Sequence, residues 1–64
     1  MKNYLESLRK ERNITQEELA EILRVSRQTI SSLEHGKYNP SIFLAHRIAE
    51  YFGKSIEEVF LFEE

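Results

Sequence analysis

Thr15-Gln16-Glu17-Glu18-Leu19-Ala20-Glu21-Ile22-Leu23-Arg24-Val25-Ser26-Arg27-Gln28-Thr29-Ile30-Ser31-Ser32-Leu33-Glu34-His35 reads as two capped helices with almost nothing between them. Thr15 to Glu18 form a capping box: the Thr15 hydroxyl can accept from the Glu18 amide while the Glu18 carboxylate reaches back to the Thr15 amide. Leu19, Ala20, Ile22 and Leu23 then supply an apolar stripe, and Ser26 caps the next helix, whose Ile30 and Leu33 point inward. Only Arg24 and Val25 lie between the stripe and the second cap. Helices joined so tightly must cross steeply, and a small residue is needed where they touch; Ala20 is that residue. This is the spacing of a helix-turn-helix. It leaves Arg27, Gln28, Ser31 and Ser32 on the outer face of the third helix, polar side chains suited to base edges in a major groove.

Working outward, Asn3 could cap a first helix over about Tyr4 to Arg12, with Leu5 and Leu8 inward and Asn13 closing it. Gly36 stands where a left-handed residue would end the third helix. Lys37-Tyr38-Asn39-Pro40 is a loop, and Ser41 caps a fourth helix carrying Leu44, Ala45, Ile48, Ala49 and Phe52 at helical period, stopped by Gly53. Ser55-Ile56-Glu57-Glu58 is a second capping box and starts a short fifth helix through Val59 or Phe60. Phe60-Leu61-Phe62 is too short to be read as helix and could be a strand, with Met1 to Tyr4 as its partner in a short antiparallel ribbon. The expected fold is therefore all-α, a compact five-helix domain spanning 1–64, with that ribbon as an optional addition at its ends.

Sixty-four residues cannot hold a second domain, and the absence of cysteine removes disulfides and thiolate zinc sites as sources of stability. Neither a membrane span nor a secretory leader is present in the pattern, so a cytoplasmic protein is expected. The net charge of −2 hides a division. Residues 24–47 carry Arg24, Arg27, Lys37 and Arg47 against Glu34, whereas residues 48–64 carry Lys54 against Glu50, Glu57, Glu58, Glu63 and Glu64. This suggests a basic face on an acidic body. His35 and His46 lack a second ligand at helical spacing, and no Ser-His-Asp set or Gly-rich phosphate loop occurs; neither a metal, a cofactor nor an enzyme activity is expected.

The runs Thr15 to Ala20, Val25 to Ile30 and Leu33 to Ser41 resemble the hallmark of the Xre, or lambda-repressor/Cro-like, helix-turn-helix regulators. The likeness continues through Leu44-Ala45, Ile48-Ala49 and Ser55 to Phe60. It implies a five-helix domain that binds palindromic double-stranded DNA as a homodimer to control transcription, more often as a repressor. It further implies base contacts at Arg27, Gln28 and Ser32, and phosphate contacts in the loop Lys37-Tyr38-Asn39. From chemistry, Arg27 can fork to guanine and Gln28 can bond adenine bidentately, and Ser31 and Ser32 are short and permissive. Thr15, Gln16, Ser26 and His35 join the phosphate set, the first two because free amides and the helix dipole attract anions. The resemblance assigns Arg9 and Glu34 to a partly buried ion pair between the first and third helices.

Members of this family commonly carry Gly where this chain has Arg24, and Asn where it has His35. A dimer interface is expected on the fifth helix and tail, residues 55–63, through Ile56, Val59, Phe60, Leu61 and Phe62, with Phe43 outward on the fourth helix. A competing class is a protein-interaction or antitoxin-like module that keeps the fold and binds a protein through its acidic side. Glu in the outer face of the third helix would have favoured it, and there is none.

Overall fold

The computed structural model describes residues 2–60, and within them five helices follow one another: α1 (Leu5–Glu11), α2 (Gln16–Leu23), α3 (Arg27–Glu34), α4 (Ile42–Phe52) and α5 (Ile56–Val59). The first four stop by the same backbone device. At each, one residue turns left-handed, with φ of 57° at Asn13, 60° at Arg24, 72° at Gly36 and 68° at Gly53. That residue and its successor then donate to the carbonyls three and five positions back, at 2.9–3.4 Å, as in Ile14 to Arg9, Val25 to Ala20, Lys37 to Ser32 and Lys54 to Ala49. Each closure satisfies carbonyls that the helix leaves bare and reverses the chain within two or three residues. Short helices are thereby joined by short turns, and the core is built from their crossing.

The starts are equally local. Thr15, Ser26, Ser41 and Ser55 each accept from the amide three residues on, and the Thr15–Glu18 and Ser55–Glu58 boxes are complete. The Ser55 amide donates to Glu58 at 2.7 Å, and the bonds from Ser55 hold the Glu58 carboxyl below its ordinary pKa. The first helix departs from expectation: Tyr4, not Asn3, is at the cap position and makes no capping bond there. Asn3 is spent more widely, its Oδ1 accepting from the Leu5 amide and its Nδ2 donating to the Leu33 carbonyl at 2.8 Å.

Inward side chains from all five helices make one core. Leu5, Leu19, Ile30, Leu33, Ile48, Val59 and Phe60 are its fully buried members, and Ala20 is buried among them at 3% exposure. Ile22, expected in the stripe of α2, is 44% exposed; Leu19, Ala20 and Leu23 are the buried arc. Arg12 lies 4.8 Å above the Tyr51 ring and 5.0 Å above Phe52, a cation–π clip from the end of α1 to the end of α4.

The expected ribbon is not supported among the described residues. Among the described residues the termini share one antiparallel bridge, Asn3 with Phe60, next to a 2.8 Å bond from the Tyr4 amide to the Val59 carbonyl. Leu61 to Glu64 and Met1 lie outside the described residues. Phe60 is 1% exposed, so its side chain is spent on the core, and it ends α5 in an extended conformation.

Arg24 is the one bulky residue among the four left-handed stops, where a Cβ costs roughly 1–2 kcal/mol. Its side chain is exposed and its conformation is what glycine adopts freely. Arg24→Gly should therefore raise the stability by about 0.5–1 kcal/mol in urea unfolding, part of the relief being offset by the freer unfolded chain.

Candidate nucleic-acid interface

A buried ion pair organises the site. The Arg9 guanidinium meets Glu34 side-on, Nε to Oε2 at 2.7 Å and Nη2 to Oε1 at 3.2 Å, with the two side chains 10% and 3% exposed. Its remaining edge donates to the Ile14 carbonyl at 3.0 Å, so one side chain ties α1 to both the turn before α2 and the end of α3. Bidentate geometry of this kind compensates the loss of water around both charges. The hydrogen bonds to Glu34 raise the Arg9 pKa further, against the opposing effect of burial, so the guanidinium keeps its charge.

From Glu34 the bonding continues outward. The Gln16 Nε2 donates to Glu34 Oε1 at 2.9 Å, and the Gln16 Oε1 accepts from Arg27 Nη1 at 3.1 Å. Both ends of the Gln16 amide are thus committed, and Arg27, exposed at the first turn of α3, is held toward the start of α2. The first-turn amides of Gln16 and Glu17 have no carbonyl of their own helix to bond, whereas the Gln16 side-chain amide is committed at both ends. Lys10, Asn13, Thr15, Gln16 and Arg27 border one concavity there, with Lys10 also paired to Glu6 at 3.0 Å.

Residues from the turn of α3 outward border a second concavity, of about 350 Å³: Ser26, Gln28, Thr29, Ser32, Lys37 and Tyr38. Gln28 and Ser32 are one helical turn apart on the same face. Lys37 joins them because its amide closes the end of α3 on the Ser32 carbonyl, so the side chain emerges beside that helix. Asn39 is exposed in the loop. Ser31 is half-buried, and its carbonyl lies 2.7 Å from His35 Nδ1. His35 itself borders a third concavity with Lys2, Asn3, Glu34 and Gly36. Arg27 and Gln28, adjacent in sequence, thus face different hollows.

The expected interface residues divide. Phe43 is 79% exposed, and beside it stands Ile42 at 69%, which the sequence reading did not name. Ile56 is half-buried against the core. Val59 and Phe60 are corrected: at 0% and 1% exposure they belong to this chain's own core and offer no surface. Leu61 and Phe62 lie outside the described residues. Among the described residues there is no grouping of three or more His, Cys, Asp and Glu that could hold a metal ion, and no helix is long and apolar enough to cross a membrane.

Two short helices set against each other, with a polar, carboxylate-free outer face on the second, define a helix-turn-helix unit. The profile described as Helix-turn-helix matches residues 5–59, and the chain belongs to that family. It is 53% identical, over all of its length and 97% of the relative's, to an uncharacterized HTH-type transcriptional regulator of Methanocaldococcus jannaschii. It is 43% identical to the HTH-type transcriptional activator BcrR of Enterococcus faecalis, over 94% of this chain and 29% of that one. With the immunity repressor protein of Bacillus phage phi105 it shares 34% identity over 86% of this chain and 38% of the phage protein.

Removing one partner of the buried pair leaves the other charged and unpaired. Arg9→Met should lower stability by about 3 kcal/mol or more, and adding Glu34→Leu should recover most of that loss, because two apolar side chains leave no stranded charge. Urea unfolding of the two single variants and the double variant measures the difference.

Proposed function

We propose that this protein is a sequence-specific DNA-binding transcriptional regulator that lays α3 in the major groove. The observation that carries the reading is the outer face of α3, where Gln28, Ser31 and Ser32 present neither a carboxylate nor an apolar side chain, and where exposed Arg27 and Lys37 stand at its two ends. A face of donors and acceptors flanked by cations is what base edges between two phosphate strands require. Arg27 and Gln28 read bases, with Ser31 and Ser32 as close permissive contacts. The α2 start, Thr15 and Gln16, takes one phosphate; Ser26, His35, Lys37, Tyr38 and Asn39 take others. Glu11, Glu57 and Glu58 border a separate hollow with Lys54, whereas Glu17 alone brings a carboxylate to the hollow at the start of α2 outside the Arg9–Glu34 pair.

The same reading includes a homodimer on a palindromic operator, since one α3 spans too few base pairs for selective binding and a two-fold axis doubles the contacts. With Val59 and Phe60 inside, the surface we assign to a second copy is the outward stripe of α4, where the two most exposed large apolar side chains of the described residues lie. Phe43 is followed at four- and three-residue steps by Arg47 and Glu50, all exposed, with Ile42 and half-buried Ile56 as further apolar area. An apolar centre with a cation and an anion beside it can face a copy of itself. Repression by occupying a promoter is the mode we adopt, because occupancy alone suffices and the phage relative is named for it.

Binding to a selected inverted repeat should weaken with salt at a log–log slope of about −4 to −7 if the dimer neutralises four to eight phosphates. Gln28→Ala should cost about 1–3 kcal/mol per half-site and relax one base position, whereas Lys37→Ala should weaken every sequence alike. A selection in which Gln28→Ala keeps the original preference would remove the base-reading assignment. For the dimer, Phe43→Glu leaves the core untouched and should sediment as a helical monomer that binds a half-site normally and the full operator far more weakly. Should it remain dimeric, the α4 surface is not the interface.

A further inference from the structure

Resting on the DNA reading, we infer that the protein takes up a proton at His35 when it binds DNA, so that its grip tightens as the solution becomes more acidic. His35 ends α3 with helical dihedrals, φ −84° and ψ 0°, and is exposed. It follows Gln28 by two helical turns and therefore leaves the helix on the same side. At that end a helix lying in the groove meets the phosphate strand, and the residue that the family commonly carries here is Asn.

The ring is clipped to its own helix. The Ser31 carbonyl accepts from the His35 amide at 3.1 Å and lies 2.7 Å from His35 Nδ1. A carbonyl oxygen can only accept, so Nδ1 carries the hydrogen. In the neutral ring Nε2 is then an acceptor, and it has no hydrogen-bond partner among the described residues. Set against a phosphate oxygen, it brings a lone pair to a lone pair. A second proton turns Nε2 into a charged donor and leaves the bond to Ser31 in place. Asn differs at this point. Its amide carries donors at every pH, so it would hold the same oxygen with no proton to gain.

The charges around the ring come from three sides. Glu34 precedes it on α3 and is held by Arg9 and Gln16. On α1, Glu6 is paired with Lys10 at 3.0 Å; that bond is the largest cause of its lowered pKa, and the attractions of Arg9 and His35 add smaller ones. Lys2 borders the hollow beside His35, and Lys37 follows Gly36. Imidazole is the side chain of this group whose charge ordinarily changes between about pH 5 and 8. A phosphate placed against it favours the protonated ring, so the added affinity is complete on the acid side of that range and is lost as the pH rises through it.

The probe is a duplex selected from a random pool by the unmodified protein. At fixed ionic strength its affinity should fall by about tenfold per half-site between about pH 6 and about pH 8. Calorimetry near the middle of that range, in buffers of different ionisation heat, should show net proton uptake on binding. His35→Asn should remove both signatures and bind alike at the two pH values, whereas His46→Gln, which changes the other histidine, should keep both. Affinity of the unmodified protein that does not change with pH would overturn the inference, as would a pH dependence or a proton uptake that survives His35→Asn. A pool from which no duplex is selected would overturn the DNA reading itself, a result distinct from a selected duplex bound equally at both pH values.

Discussion

The side-on pair of Arg9 with Glu34 is the constraint on which the working parts depend. A carboxylate only 3% exposed must be fully bonded, and it is bonded to three elements at once: to α1 through Arg9, to the start of α2 through Gln16, and, being on α3, to the end of that helix. The Ile14 carbonyl occupies the last edge of the guanidinium. Rotating or sliding any one of the three helices would break a charged hydrogen bond in a place water cannot repair. The relation of α2 to α3, which sets how far the reading face projects, is therefore held by electrostatics as well as by Ala20 and the leucines behind it.

Because the same network runs on from Gln16 to Arg27, the rigid interior reaches the exposed edge of the site. Arg27 starts from a held position, whereas Gln28, one residue on, is in a hollow of its own with Ser32, Lys37 and Tyr38. Adjacent residues of one helix so acquire different mechanical characters: one pre-positioned, with less entropy to lose when it binds, the other adaptable. The left-handed closures serve the same end. They allow turns short enough that Val25 and Ser26 follow α2 immediately, and at Arg24 the chain tolerates the strain of a left-handed non-glycine residue.

A core drawn from five short helices leaves little apolar area to spare, and the structure spends Val59 and Phe60 on it. Val59 and Phe60 close the bottom of the core, and the Asn3–Phe60 bridge pins the two ends of the described chain together. Among the described residues the two most exposed large apolar side chains, Ile42 and Phe43, are adjacent on α4. A self-association surface there would be separate from the residues that hold the fold, so that assembly and folding can be perturbed independently.

What the sequence determined by itself was everything set by neighbours within about five residues. The capping boxes at Thr15 and Ser55, the caps at Ser26 and Ser41, and the stops at Gly36 and Gly53 are local hydrogen-bond patterns written in adjacent residue types, and with the helical periods they yield five helices and the outward placing of Gln28 and Phe43. What only the tertiary structure decided was how distant residues share the few buried places. Asn3 accepts from the first amide of α1 as a cap would and also reaches across to the Leu33 carbonyl of α3; Ile22 matched the stripe and is exposed; Val59 and Phe60 looked like spare apolar surface and are buried in this chain's own core. Periodicity tells which side of a helix is apolar, but the amount of that side covered depends on which other helices reach it. Likewise the bond from Gln16 to Glu34 joins residues 18 apart in sequence, and no local pattern could have marked either as the other's partner.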